Sequence, residues 1–148
     1  MPGLAEFELT LRVYWEDTDA GGVVFYANYL KFFERARTEW LRALGVGQQA
    51  LREASGAIFI VAQSQLKYHA PARLDDLLRV TVQPLQSDHA TMWLQQQAWL
   101  DQRLLCAGRI RIGCVDAGTF RPRRFPSAVA QALNRPAPTP PNNNTHTP

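Results

Sequence analysis

Residues 14–39, YWEDTDAGGVVFYANYLKFFERARTE, change character halfway along. The first half gathers Glu16, Asp17 and Asp19 beside Gly21 and Gly22. The second half opens a run, about residues 26–44, without glycine or proline. In it Tyr29, Phe33, Ala36, Trp40 and Leu44 recur at spacings of three and four, with Leu30, Phe32 and Leu41 beside that line. This period predicts a helix, and so broad an apolar stripe predicts deep burial. Gly45 and Gly47 supply its stop signal.

Outward from this run the period shortens to two. Phe7, Leu9, Leu11 and Val13 alternate with Glu8, Thr10 and Arg12, as in a half-buried strand. After a short helical piece at 48–54, strands are expected at 58–69, 78–84, 91–100 and 104–115. Pro71 ends the first of these, and Leu74, Asp75 and Asp76 read as a turn. Cys106, Gly108, Ile110, Ile112 and Cys114 share one face of the last strand, with Arg109 and Arg111 on the other. Trp93 and Trp99 share a face with Gln95 and Gln97, which suits core or interface packing. A helical segment is expected at 127–134. Residues 135–148 are rich in Pro, Asn and Thr, lack apolar anchors and are expected to be disordered. The domain is therefore placed at 1–134. Sequential strands joined by short turns favour an antiparallel sheet, and one buried helix against it is α+β. Periodicity does not choose among α+β folds.

A chain of 148 residues suits one domain, and 46% hydrophobic residues suit a packed core. The formal net charge of +3 is too small to imply nucleic acid. The basic excess is partly local, in Arg121, Arg123 and Arg124, a cluster suited either to solvent or to an anionic nucleotide phosphate. Cys106 and Cys114 lie on one strand, too far apart for a disulfide, so a reducing, cytoplasmic setting is expected. The N-terminal residues show neither the basic nor the apolar region of a signal peptide, and no apolar run is long enough for a transmembrane helix.

The chemistry sits in the first half of the opening stretch. Glycines let a backbone approach a ligand closely. A helix N-terminus offers unpaired N–H groups and a positive dipole end, which polarise a carbonyl or stabilise an oxyanion. A carboxylate opposite them serves as nucleophile or general base. Each residue also has a structural reading. Asp19 can cap the turn that follows it, and Asp17 is expected to be solvated. A cation held by Glu16, Asp17 and Asp19 lacks a histidine or further ligand, so no metal is assigned. Arg35 and Glu39 are spaced for a modest helix salt bridge. His69 and His89 stand alone and are read as structural.

The stretch DTDAGGVVFYANY, with the helix behind it, resembles the hot-dog acyl-coenzyme A (CoA) thioesterases. Within them it is similar to the family encoded beside the Tol–Pal envelope proteins and to the 4-hydroxybenzoyl-CoA thioesterases, which share D-x-D-x-x-G followed by Y-x-N-Y. The segment YHAPARLDD at 68–76 carries a second match. The resemblance implies a five-stranded antiparallel sheet wrapped around one central helix. It implies homodimers or homotetramers with active sites at subunit interfaces, and no cofactor. It places the catalytic carboxylate on Asp19 and the carbonyl-polarising backbone N–H on Tyr26. Substrate contacts fall on Gly22, Val24, Asn28 and Tyr29. Two departures from the family pattern stand out. Tyr26 replaces a histidine common in the Tol–Pal group, which leaves the acyl preference open. The loop Ser87-Asp88-His89-Ala90 lacks the basic residues that relatives place near CoA phosphates, which shifts that expectation to Arg121 and Arg123, with Arg124 beside them.

The function implied is hydrolysis of acyl-CoA thioesters, with short aliphatic acyl groups foremost. Asp19 either attacks the carbonyl or deprotonates the attacking water. Two alternatives stand beside it. One is an aromatic acyl-CoA thioesterase, suggested by Tyr26. The other is a non-catalytic scaffold near the envelope that binds acyl carrier protein. An α/β-hydrolase is excluded, since no G-x-S-x-G occurs.

Overall fold

The computed structural model describes residues 7–134. The tail expected at 135–148 and the N-terminal signal reading lie outside them. In chain order come β1 (Phe7–Arg12), two 3₁₀ turns (Trp15–Asp17 and Tyr26–Asn28), α1 (Tyr29–Ala43), α2 (Gln48–Ser55), β2 (Ala57–Tyr68), β3 (Leu77–Ser87), β4 (Thr91–Leu100), β5 (Arg103–Asp116) and α3 (Ser127–Leu133). The strands form one antiparallel sheet in the order β1-β3-β4-β5-β2. This is the hot-dog arrangement that the resemblance implies. β1 and β2 are its two edges.

One face of the sheet is apolar because the period-two pattern puts Val80 and Val82, Met92 and Leu94, and Ile110 and Ile112 on the same side. Phe33, Ala36 and Trp40 of α1 pack there, nearly or fully buried. Deleting a ring such as that of Trp40 costs about 3–5 kcal/mol in a packed core. Gly108 makes room for this helix: a Cβ there would meet Phe33 Cε2 at 3.0 Å. The one buried amide on this face, Gln96, is fully engaged. Its Nε2 donates to the carbonyls of Phe33 (3.0 Å) and Thr81 (3.3 Å), and its Oε1 accepts from Arg37 at 3.1 Å.

β2 keeps its inner face by changing phase. Phe59 pairs with Cys114 and Val61 with Ile112, whereas beyond the bulge at Val61/Gln63 it is Ser64 and Leu66 that pair with Ile110 and Gly108. One extra residue thereby restores alternate residues to the helix side.

Three expectations need correction. The helix begins not at residue 26 but at Tyr29, behind a separate 3₁₀ turn. Leu30, placed beside the apolar stripe, is 41% exposed. Glu39 pairs with Arg42 at 2.6 Å, one turn towards the helix C-terminus, rather than with Arg35. Both cysteines are free and buried. Trp93 and Trp99 lie on the outer sheet face, each under an arginine: Arg109 over Trp93 and Arg79 over Trp99, both 5.6 Å from the ring centroid.

Candidate active site

Between β1 and α1 the chain folds into a tight hairpin. Phe25 N–H donates to the Asp17 carbonyl (3.0 Å), Thr18 bridges Val24, and Asp19 N–H donates to the Val23 carbonyl (2.9 Å). Gly22 closes the tip at φ +82°, a backbone that an L side chain rarely adopts. The hairpin is in turn fixed to the segment after β2, where Val24 N–H donates to Ala72 O at 2.9 Å and Val23 bridges Arg73.

The two aspartates of the D-x-D motif do different work. Asp17 is not solvated, as its place in an acidic loop suggested. It is 3% exposed, and its Oδ2 accepts Tyr14 N–H (2.8 Å) while its Oδ1 accepts the Asn28 amide (2.9 Å). The 3₁₀ turn at Trp15–Asp17 rotates its side chain inward, away from the face an extended chain would share with Asp19. It ties the hairpin's start to the turn that begins the helix. Asp19 is exposed near the tip. Its Oδ1 accepts Gly21 N–H at 2.9 Å, so the turn-capping reading holds for that oxygen. A Cβ on Gly21 would approach this oxygen to 3.2 Å. The small residue there lets the carboxylate lie close to the backbone, a role the sequence reading had not assigned to Gly21.

Tyr26 opens the second 3₁₀ turn, so its N–H has no acceptor inside that turn, and no side chain caps it. Tyr26 also lines a cleft of about 290 Å³, together with Val24, Tyr29, Tyr68, His69, Ala70 and Pro71. The ring centroids of Tyr26 and Tyr68 lie 6.1 Å apart, edge to face, and those of Tyr29 and Tyr68 5.8 Å apart. Burial, with Cys106 nearby, pushes the Tyr29 phenol up to about 12, and the same two causes raise Tyr68. Both phenols stay neutral at physiological pH and present hydroxyls rather than charge. Tyr68 and His69 were missed as cleft residues, because nothing in a strand's own pattern says which distant helix its end will meet.

The other expected substrate residues fall in three places. Val24 and Tyr29 are buried cleft walls. Asn28 is committed to Asp17, and Gly22 to the hairpin tip. Arg121 and Arg123 are not near this cleft within the chain. Arg121 O accepts Asp116 N–H (2.9 Å), beside the start of β2, where Ala57 pairs with Asp116. The cleft lies at the opposite end of β2, at Tyr68, and this 12-residue strand is about 36 Å long. Arg123 is moreover engaged, donating to Ser55 O at 2.8 Å with Asp116 at 3.8 Å.

The family model of the thioesterase-like superfamily matches residues 13–133. The chain is 42% identical over 128 residues to an acyl-CoA thioesterase, YbgC, of Haemophilus influenzae, covering 86% of this chain and 94% of that one. It is 41% identical over 125 residues to the acyl-CoA thioester hydrolase YbgC of Escherichia coli, covering 83% and 92%. Among solved structures, a probable thioesterase from Bartonella henselae superposes with a TM-score of 0.78 at 31% identity, over 82% of this chain and all of that one, 100%.

Proposed function

Because the chain belongs to the thioesterase-like superfamily, we propose that it hydrolyses acyl-CoA thioesters with Asp19 as the catalytic carboxylate and the Tyr26 N–H as the carbonyl-polarising donor. The observation that carries this reading is an exposed, backbone-anchored carboxylate in a hairpin that runs directly into the 3₁₀ turn ahead of the helix, which Tyr26 opens with an uncapped N–H. Thioester hydrolysis needs both. The N–H and helix dipole stabilise charge developing on the carbonyl oxygen, and donors of this type are typically worth about 100- to 1,000-fold in rate. Asp19 either attacks the carbonyl carbon, expelling the CoA thiolate and leaving a mixed anhydride that water cleaves, or takes the proton of an attacking water. Asp17 and Asn28 position this pair without meeting substrate.

The acyl group enters the tyrosine-rimmed cleft. Tyr29, 3% exposed and packed on Phe32, closes off the core behind it, which suits short acyl chains. The ring faces of Tyr26 and Tyr68 also favour a second reading, an aromatic acyl group packed against the tyrosine rim. Asp19 does not itself line the cleft in one chain, which supports a homo-oligomer whose second subunit completes the site.

The test is hydrolysis by wild type and Asp19→Asn on aliphatic acyl-CoAs of graded length and on benzoyl-CoA. Wild-type turnover should fall at least about 100-fold in the variant, with short chains preferred. Near-normal turnover by Asp19→Asn removes the assignment, and faster hydrolysis of benzoyl-CoA selects the aromatic reading.

A further inference from the structure

Thioester hydrolysis leaves one proton unassigned by Asp19 and Tyr26. When the carbon–sulfur bond breaks, its electron pair stays on the CoA sulfur, and the less acidic the departing thiol, the slower it leaves. Asp19 attacks carbon or accepts a proton, and the backbone N–H of Tyr26 polarises the carbonyl without releasing its hydrogen. Neither protonates sulfur. The phenols behind the cleft are unsuited to it: Tyr29 is pushed up to about 12 and Tyr68 is raised by the same burial. A phenol so raised holds its proton more tightly than an alkyl thiol does.

His69 is the one residue lining the cleft that is neither a phenol nor apolar. Its side chain is exposed, and among the described residues no hydrogen bond, ion pair or ring contact occupies the imidazole. Its backbone, in contrast, is fixed. His69 N–H donates to Leu105 O at 2.8 Å, and Ala70 N–H donates to the same oxygen at 3.2 Å. A few residues on, this segment is stapled to the hairpin that carries Asp19, through Val24 N–H on Ala72 O and the bridge from Val23 to Arg73. On its other side the Tyr68 ring stands 6.1 Å from the ring of Tyr26, which opens the turn ahead of the helix. A free imidazole is thus held by firm backbone in the cleft that Tyr26 also lines. Histidine is the side chain whose ordinary pKa lies close to neutrality, so it can both give and regain a proton there.

Resting on the hydrolase reading above, we propose that His69 is the general acid that protonates the departing CoA sulfur. The imidazolium passes one proton to sulfur as the carbon–sulfur bond breaks, giving the free thiol and neutral imidazole. The water consumed in hydrolysis supplies the proton that restores the imidazolium, and the acid product ionises to release one proton to solvent. This balance is the same whether Asp19 attacks carbon or activates water.

Dependence on the leaving group tests this. One acyl group is supplied as its pantetheine thioester, which releases an alkyl thiol, and as its S-phenyl thioester, whose more acidic thiol leaves readily as the thiolate. His69→Gln and His69→Ala should lose about tenfold to 100-fold in kcat on the pantetheine thioester, and about tenfold less than that on the S-phenyl one. Both variants should melt near wild type, since the side chain is exposed and makes no hydrogen bond. Added imidazole should restore turnover of the pantetheine thioester by His69→Ala, a recovery that a merely structural role would not show. Equal losses on the two thioesters, or no loss on either, overturn the assignment. So does a loss confined to the pantetheine thioester in Tyr26→Phe with none in the His69 variants, which would give the proton to that phenol. The underlying reading fails differently. Near-normal turnover by Asp19→Asn removes the carboxylate while the leaving-group ratio of the His69 variants stands. A wild type inert on both thioesters removes the hydrolase, and the role of His69 with it.

Discussion

The tripeptide Asp-Ala-Gly occurs twice, at 19–21 near one end of the sheet and at 116–118 near the other. Both aspartates accept the glycine N–H, at 2.9 Å in the first and 3.0 Å in the second. There the likeness ends. Asp116 also receives Thr119 N–H, Thr119 Oγ1 at 3.4 Å and Arg123 at 3.8 Å. Its backbone bonds hold its carboxyl below the usual carboxylate range. Asp19 has one oxygen held by Gly21 and no hydrogen bond to the other among the described residues. The same local sequence therefore leaves one carboxylate oxygen free at Asp19, the residue proposed to react, and has both oxygens occupied at Asp116, where the carboxylate is structural. What separates the two is supplied by residues outside the tripeptide.

Substitution at the two sites should break this symmetry most sharply. Asp19→Asn is expected to lose at least about 100-fold in kcat while its melting temperature stays near that of wild type. Asp116→Asn should lower the melting temperature and loosen the Phe120 turn while retaining the chemical step, seen as kcat on an acyl-pantetheine substrate. Equal loss of kcat in both would mean that Asp19 is structural too. The next largest effect belongs to Asp17. Its removal orphans the buried Asn28 amide and Tyr14 N–H, so Asp17→Ala should cost about 1–3 kcal/mol in chemical denaturation. Asp17→Asn, which keeps one acceptor, should lose less. Gly108→Ala tests the core between the two ends: its Cβ would crowd the Phe33 ring, with an expected loss of about 1–3 kcal/mol.

The smallest effect is on pH. Burial pushes the Cys106 thiol up to about 12, and Tyr29 is likewise raised to about 12. Both neutral forms are favoured in the folded state, so this stability is complete below the ordinary thiol and phenol values. It is lost as pH rises through about 9 towards 12. The depressed Asp116 works oppositely, contributing above the ordinary carboxylate value and declining as pH falls through its lowered one. Melting temperatures across an alkaline series should fall, and a flat profile there would contradict the burial assigned to Cys106. Thiol labelling near pH 8 should be negligible until the protein unfolds.

The sequence is most legible where one period governs many residues. Tyr29 to Leu44 and the four later strands announce themselves because burial on one face imposes spacing, and the register keeps Cys106 to Cys114 on the inner side as expected. It is least legible at turns. Asp17 looks like any loop acid, and only the 3₁₀ turn that rotates it inward reveals its partners. Tyr68 looks like any strand residue until α1 arrives beside it.

By itself the sequence determined the element types, the antiparallel α+β class and, through DTDAGGVVFYANY, the family and the hairpin to inspect, because these depend on short-range patterning and local motif chemistry. Tertiary structure alone decided which carboxylate oxygen stays open, which tyrosines rim the cleft and that the arginine cluster stands a strand's length away. Those are relations between segments distant in the chain, brought together or held apart by packing across the sheet, and no local pattern encodes them.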